Sequence, residues 1–221
     1  MGDHARGRQP RRIRRHRLLD LSGSLQLKRE EFELVVAFLD ANIFPHTWLT
    51  DVLLTFADHH LFDPEYSDDV FEEARRAFVD DLGKDSAWVD RYLSTIRNIK
   101  PYYLVSPIPE LTGEVVLPDA DDRHVAAAAY NGDADVIVTF NLKDFPANQL
   151  AKIGLSARHP DAFLTGVAEA YPERAVKAMT ELVASKKHPP RTMQEELERL
   201  EHSGMPGFAR IMRRLMSGQP A

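Results

Sequence analysis

The stretch LVVAFLD, residues 34–40, is a run of apolar residues closed by an aspartate. With no polar position alternating in it, the run predicts a strand covered on both faces, the situation of a parallel strand between two layers of helices. Asp40 then stands at the carboxyl end of that strand. Trp48, Leu49, Val52, Leu53 and Phe56 follow at helical spacing, so Asp40 marks a strand-to-helix junction. A second run of the same kind, ADVIVTF at 134–140, leads into NLKDF at 141–145.

Helices are expected between the two runs. Ser67 reads as an N-cap, with Asp68 and Asp69 in the first turn and Val70, Phe71, Ala74, Ala77 and Phe78 on one face. On that helix Glu72 points away from the apolar face and Glu73 lies at its edge. A helix around Ser86–Ile99 is expected to bury Trp88, Val89, Tyr92, Leu93 and Ile96, and Tyr103–Val105 reads as a short strand. A further helix, about Asp122–Tyr130, is stopped by Asn131-Gly132. Strands alternating with helices predict an α/β protein, a three-layer α/β/α sandwich around a central, mostly parallel sheet.

The remainder reads as helical. His159-Pro160-Asp161 opens a helix to about Glu169, Pro172 begins another to about Lys186, and Pro189-Pro190 breaks the chain. Thr192 to Glu195 has the capping-box pattern, Gly204 ends that helix, and a last amphipathic helix starts near Gly207. The predicted organisation is a basic extension over 1–33, an α/β domain over 34–170 and a helical C-terminal appendage over 171–221.

Composition bounds the function. At 221 residues with 43% hydrophobic and 28% charged residues, the chain is globular. The absence of cysteine excludes disulfides and thiolate metal sites, and makes a reducing cytoplasm the expected location. No apolar run approaches membrane-span length and the start lacks a secretory core, so no membrane role is expected. Residues 1–19 hold seven arginines and one aspartate, leaving 21 basic and 33 acidic residues over 20–221. An Arg-rich arm suits a polyanion, but a globular part so negative needs cations to handle a phosphodiester.

The sharpest local feature is LPDADDRHVAAAA, residues 117–129, where Asp119, Asp121 and Asp122 crowd in front of an alanine-rich helix. Capping explains one of them. Ligands of parallel α/β sheets bind at the carboxyl ends of strands, so Asp40, Asn141, Asp144 and the 119–122 cluster are expected to converge on one cleft, with Glu73 at its edge. Carboxylates about 5 Å apart repel by roughly 3 kcal/mol per pair at an effective dielectric near 20, so such a cluster calls for cations. All-oxygen donors favour Mg²⁺ or Mn²⁺, whose natural chemistry here is phosphodiester hydrolysis. Taken singly, each acid also reads as a cap, a turn or a solvated helix residue, and His124 as a hydrogen-bonded or packed histidine.

In order and spacing, FLDANIFP, YSDDVFEEARR, LPDADDRHVAAAAYNGDADVIVTFNLKDFP and HPDAFL resemble the PIN-domain proteins, and within them the group that includes VapC-like toxins. The resemblance covers about 34–165, and the region beyond is similar to the helical tail of some members. It implies a Mg²⁺- or Mn²⁺-dependent endoribonuclease with a four-acid site. Carried over by position, the acids fall on Asp40, Glu73 and Asp122, with Asp119 supporting the metal. The fourth acid aligns with Asn141, a departure for which Asp144 is placed to compensate; one bound metal or two stay open. Thr139 corresponds to the strand-end Ser/Thr of the family, and Lys143 is a candidate phosphate contact. RNA as substrate, a cognate antitoxin covering the acidic cleft, and a homodimer are the implied partners. Two other readings stand beside this one: a catalytically degenerate PIN domain that binds RNA or protein, and a Mg²⁺-dependent phosphatase or receiver-like phospho-acceptor at Asp40.

Overall fold

The LVVAFLD run forms β1, Val36–Leu39, and every residue of it is buried. The computed structural model describes residues 34–99, 101–109, 111, 116–187 and 190–217; the Arg-rich extension over 1–33 lies outside them. β1 leads through a short 3₁₀ turn, Ala41–Ile43, into α1, Thr47–Asp58, which buries Leu49, Val52, Leu53 and Phe56 on one stripe. After β2, Asp63–Glu65, come α2, Asp68–Arg76, a π-helical turn over Ala77–Asp81, and α3, Ser86–Ile99. Then follow α4, Arg123–Asn131, β3, Val136–Val138, α5, Ala147–Leu150, and β4, Ser156–Arg158. Four helices complete the chain: α6, Pro160–Ala170, α7, Pro172–Ser185, α8, Met193–His202, and α9, Pro206–Met216.

The sheet order is β2-β1-β3-β4 with all pairings parallel. The chain moves outward from β1 to β2, then crosses back past β1 to β3 and on to β4. Because parallel crossovers are right-handed, these two directions put α1 on one face and α2 to α5 on the other. The result is the expected three-layer α/β/α sandwich. Reversal of direction between β1 and β3 opens a crevice at their carboxyl ends, the place where open parallel sheets bind ligands.

α4 explains its own alanines. Ala126 to Ala129 are each fully buried, so consecutive residues around the whole circumference are covered, and only small side chains allow that approach. Its stop differs from expectation: Gly132 has φ −79° and the left-handed residue is Asp133, φ 59°. A Cβ at Gly132 would meet the carboxylate end of the Glu65 side chain, which would have to move aside.

β2 and β4 carry no apolar run in the sequence. They are edge strands of three residues, Asp-Pro-Glu and Ser-Ala-Arg, and an edge tolerates Pro64 because its missing N–H costs no ladder bond. The strand expected at Tyr103–Val105 is reduced to a 3₁₀ turn, Pro101–Tyr103, and a single parallel bridge between Leu104 and Tyr66. Trp88, expected inside, is 40% exposed. The α3 stripe centres on Val89, Leu93 and Ile96, leaving Trp88 at its margin, stacked at 5.3 Å on Tyr92 one turn later.

The C-terminal helices share the core of the sheet rather than building one of their own. α7 packs on α1, and α9 packs on α6, α7 and α8. Phe163 of α6 meets Phe62 edge-on at 5.0 Å, and Phe208 of α9 meets Phe56 of α1 at 5.5 Å. The capping box of α8 is present in both directions between Thr192 and Glu195.

Candidate active site

Register sets the centre of the site. Leu39 of β1 pairs with Val138 of β3, and the Asp40 N–H donates to the Val138 carbonyl at 3.1 Å. Asp40 and Thr139 therefore leave the sheet side by side in the crevice, 4% and 0% exposed. The Thr139 hydroxyl donates to Asp40 Oδ2 at 2.6 Å, and the Asn42 amide donates to the same oxygen at 2.7 Å and to Thr139 Oγ1 at 2.9 Å. Asp40 Oδ1 accepts from the Ala41 N–H at 2.7 Å. Asn42 Oδ1 accepts from the Phe140 N–H at 3.2 Å, and Thr139 Oγ1 accepts from the Asn141 N–H at 2.9 Å. Asn42 thus locks the two strand ends together. Sequence reading passed over it, although an amide two residues after a strand-end aspartate was the available signal.

The other acids arrive from the helical layer. Glu73 of α2 is half-buried, and its Oε1 lies 2.8 Å from His124 Nε2 on α4. Asp122 sits at the N-cap position of α4 without capping it, and no hydrogen-bond donor among the described residues meets its carboxylate. Asp144 accepts from the Asn141 side-chain amide. Asp119 is exposed, its Oδ1 accepting from the Asp121 N–H at 2.9 Å in a local turn. Asp121 and Lys143 are exposed.

These groups lie within electrostatic reach of one another. Burial pushes the Asp122 carboxyl up to about 7, helped by repulsion from Asp40, Asp144, Asp119 and Glu73 in that order. Burial also raises Asp40, against the lowering effect of the Thr139 and Ala41 hydrogen bonds; the charge of Glu73 adds to the rise and His124 offsets part of it. For His124, burial opposes the charged form, but the hydrogen bond and charge of Glu73, with Asp69 and Asp40, outweigh it and raise the pKa. Its Nδ1 is buried without a partner.

Three of these carboxylates are held by protein donors: Asp40 by Thr139, Asn42 and Ala41, Glu73 by His124, and Asp144 by Asn141. Consistent with that, no three His, Asp or Glu side chains among the described residues are gathered into a set that holds a metal as it stands. The donors still fit a hard divalent cation in kind. They are all oxygen, they carry excess negative charge, and Asp122 is a half-buried carboxylate with neighbours that repel it and no donor to relieve it.

A pH dependence follows from the Asp122 shift. The folded value, about 7, lies above the unfolded 3.8, so the native state binds the proton more tightly. The contribution to stability is full below 3.8 and is lost as pH rises through about 7. Thermal melts in EDTA should therefore fall across that window, and millimolar Mg²⁺ should recover the loss at pH 7 and above. A flat profile in EDTA would show that burial and the neighbouring acids do not raise Asp122.

Residues 36–143 match the PIN domain family, and residues 160–214 match the VapC50 C-terminal domain. The segment 36–143 is a PIN-family domain. Over 100 residues it is 41% identical to "Putative ribonuclease VapC50" of Mycobacterium tuberculosis, a match that covers 45% of this chain and 59% of that protein. No solved structure matches the chain significantly. In this PIN domain the crevice between β1 and β3 contains Asp40 and Thr139, α2 contributes Glu73, and α4 contributes Asp122 and His124. Among the described residues no helix is long and apolar enough to cross a membrane.

Proposed function

We propose that the protein is a divalent-metal-dependent endoribonuclease, the toxin component of a toxin–antitoxin pair acting in the cytoplasm. The observation that carries this reading is the half-buried, donorless Asp122 in the repulsive field of Asp40, Asp144, Asp119 and Glu73. A protein keeps so unfavourable a cluster at a strand-end crevice when a cation is to be bound there. The resemblance to a VapC-like ribonuclease names the polyanion that such a cation would serve.

In this reading Asp40, Glu73 and Asp122 would hold Mg²⁺ or Mn²⁺, with Asp119 and Asp144 adding negative charge. Such an ion lowers the pKa of bound water and neutralises charge on the leaving oxygen. Thr139 and Asn42 keep the Asp40 carboxylate in one orientation. His124 fixes Glu73 and is the nearest proton carrier to it. Asn141 supplies an amide where the family pattern has a carboxylate, and its bond to Asp144 keeps that acid beside the strand end. Lys143, exposed on the following turn, would contact a phosphate. A cognate antitoxin would cover the cleft with a basic side chain, an arginine standing in for the metal charge; homodimerisation is part of the same proposal.

The direct test is incubation of the purified full chain with single-stranded and structured RNAs, including tRNA, in Mn²⁺, in Mg²⁺ and in EDTA. Cleavage is expected with either metal and not with EDTA. RNA left intact under all three conditions while Mn²⁺ still binds would favour the degenerate, binding-only reading.

A further inference from the structure

A second feature opens at the same edge of the sheet. Since α1 follows β1 directly, its N-terminus lies on the carboxyl side of the strands, the side of Asp40. There α1 meets the end of α7 and the start of α8 around a cleft of about 610 Å³ lined by Trp48, Lys186, Lys187, Arg191 and Arg199. Lys186 is paired with Asp51, and Arg191 with Glu196, which is 1% exposed, at 2.9 Å. All four residues line the cleft. Lys187 and Arg199 are exposed and have no ion-pair partner among the described residues. The N-cap of α1, His46, makes no side-chain cap bond, so the positive end of the helix adds to the same field. Residues 20–221 hold 21 basic and 33 acidic residues, and this local surplus of cations runs against that balance.

Aromatic side chains link the cleft to the acidic site. His159, N-cap of α6, meets Phe140 at 5.0 Å; Phe140 meets His46 at 4.7 Å; His46 meets Trp48 at 6.1 Å. Phe140 directly follows Thr139, and Trp48 lines the cleft. His46 is exposed and the other three rings are half-buried, so their free surfaces face solvent. Partial burial lowers the His46 pKa, which keeps the ring uncharged at neutral pH.

We propose that the cleft between α1, α7 and α8 is a clamp for single-stranded RNA, holding phosphates with Lys187 and Arg199 while the bases lie along Trp48, His46, Phe140 and His159 toward Asp40. Cations that track a backbone beside rings that stack bases are the two components of single-strand binding, and both are present in one continuous path. The C-terminal helices are then part of the substrate site. The inference rests on the nuclease reading for its direction of travel, but binding tests it separately.

The experiment is fluorescence anisotropy of a labelled 20-nucleotide single-stranded RNA with the full chain in EDTA, across a salt series. Lys187→Glu with Arg199→Glu is expected to weaken binding at least tenfold and to reduce the slope of log affinity against log salt by about 1 to 2. Trp48→Ala is expected to weaken it severalfold with the slope unchanged. Lys84→Glu, one charge reversal of the same kind at an exposed site elsewhere, serves as control and should stay within about twofold. Wild-type affinity and slope in the double variant, an equal loss in the Lys84 control, or no RNA binding by the wild type would each overturn the clamp. A chain that cuts RNA with Mn²⁺ but passes RNA binding unaltered by the double variant keeps the nuclease and loses the clamp. One that binds as described but never cuts keeps the clamp and loses the nuclease.

Discussion

Asp40→Asn is expected to lower metal-dependent RNA cleavage by on the order of 10³-fold, with the chain still folded. A metal that neutralises charge in the transition state supplies several kcal/mol, and each 1.36 kcal/mol is a factor of about ten in rate. Asp40 is the acid at the centre of the hydrogen-bonded strand ends, so exchanging it for an amide removes a unit of charge without changing shape. The fold should tolerate this. The Asn carbonyl oxygen can still accept one of the bonds now made by Thr139, Asn42 and Ala41, and the lost charge is one that burial already disfavours. The melting temperature in EDTA should stay the same or rise, even though one amide donor must turn away from Asn42. Cleavage at wild-type rates by a folded variant would remove Asp40 from the chemistry.

Phe208→Ala is the second large effect, and it falls on stability. Phe208 is fully buried and packs edge-on against Phe56 of α1, so truncation leaves a cavity in the shared core at a cost of about 3–5 kcal/mol. For a chain of this size that corresponds to a fall in melting temperature of roughly 6–20 °C. The loss should appear in one cooperative transition, monitored by both circular dichroism and the fluorescence of Trp48 on α1. The environment of Phe208 explains why. Asp161 at the start of α6 accepts from the Gly207 and Phe208 N–H groups at 3.0 and 2.7 Å, which ties the first turn of α9 to α6. A Cβ at Gly207 would meet Asp161 Oδ2 at 2.8 Å, so glycine is needed for that approach. If the variant instead melts α8 and α9 first and leaves the sheet intact, the C-terminal helices are an independent unit.

Asp40 and Phe208 are unequally visible in the sequence. Asp40 stands out in the sequence because a fully apolar strand ends on it, although taken alone it reads equally as the cap it makes to the Ala41 N–H. Phe208 looked like one apolar residue on an amphipathic helix; which surface it meets depends on α1, some 150 positions earlier. Trp88 was misjudged for the same reason, since helical periodicity locates a stripe but not how far the neighbouring layer extends over it.

The sequence by itself determined the alternation of two apolar strands with capped helices, the acids placed at the strand ends and helix mouth, and hence an α/β/α sandwich. Those features are local: burial on two faces demands an unbroken apolar run, and free helix N–H groups demand a cap. The tertiary structure decided the rest. It set β1 beside β3, so that Asn42 joins Asp40 to Thr139; it brought His124 to Glu73; it left Asp122 without a donor; and it laid the C-terminal helices against α1. Hydrogen bonds and charge repulsion act over a few ångströms of space, and which distant residues come within that range is a property of the folded chain.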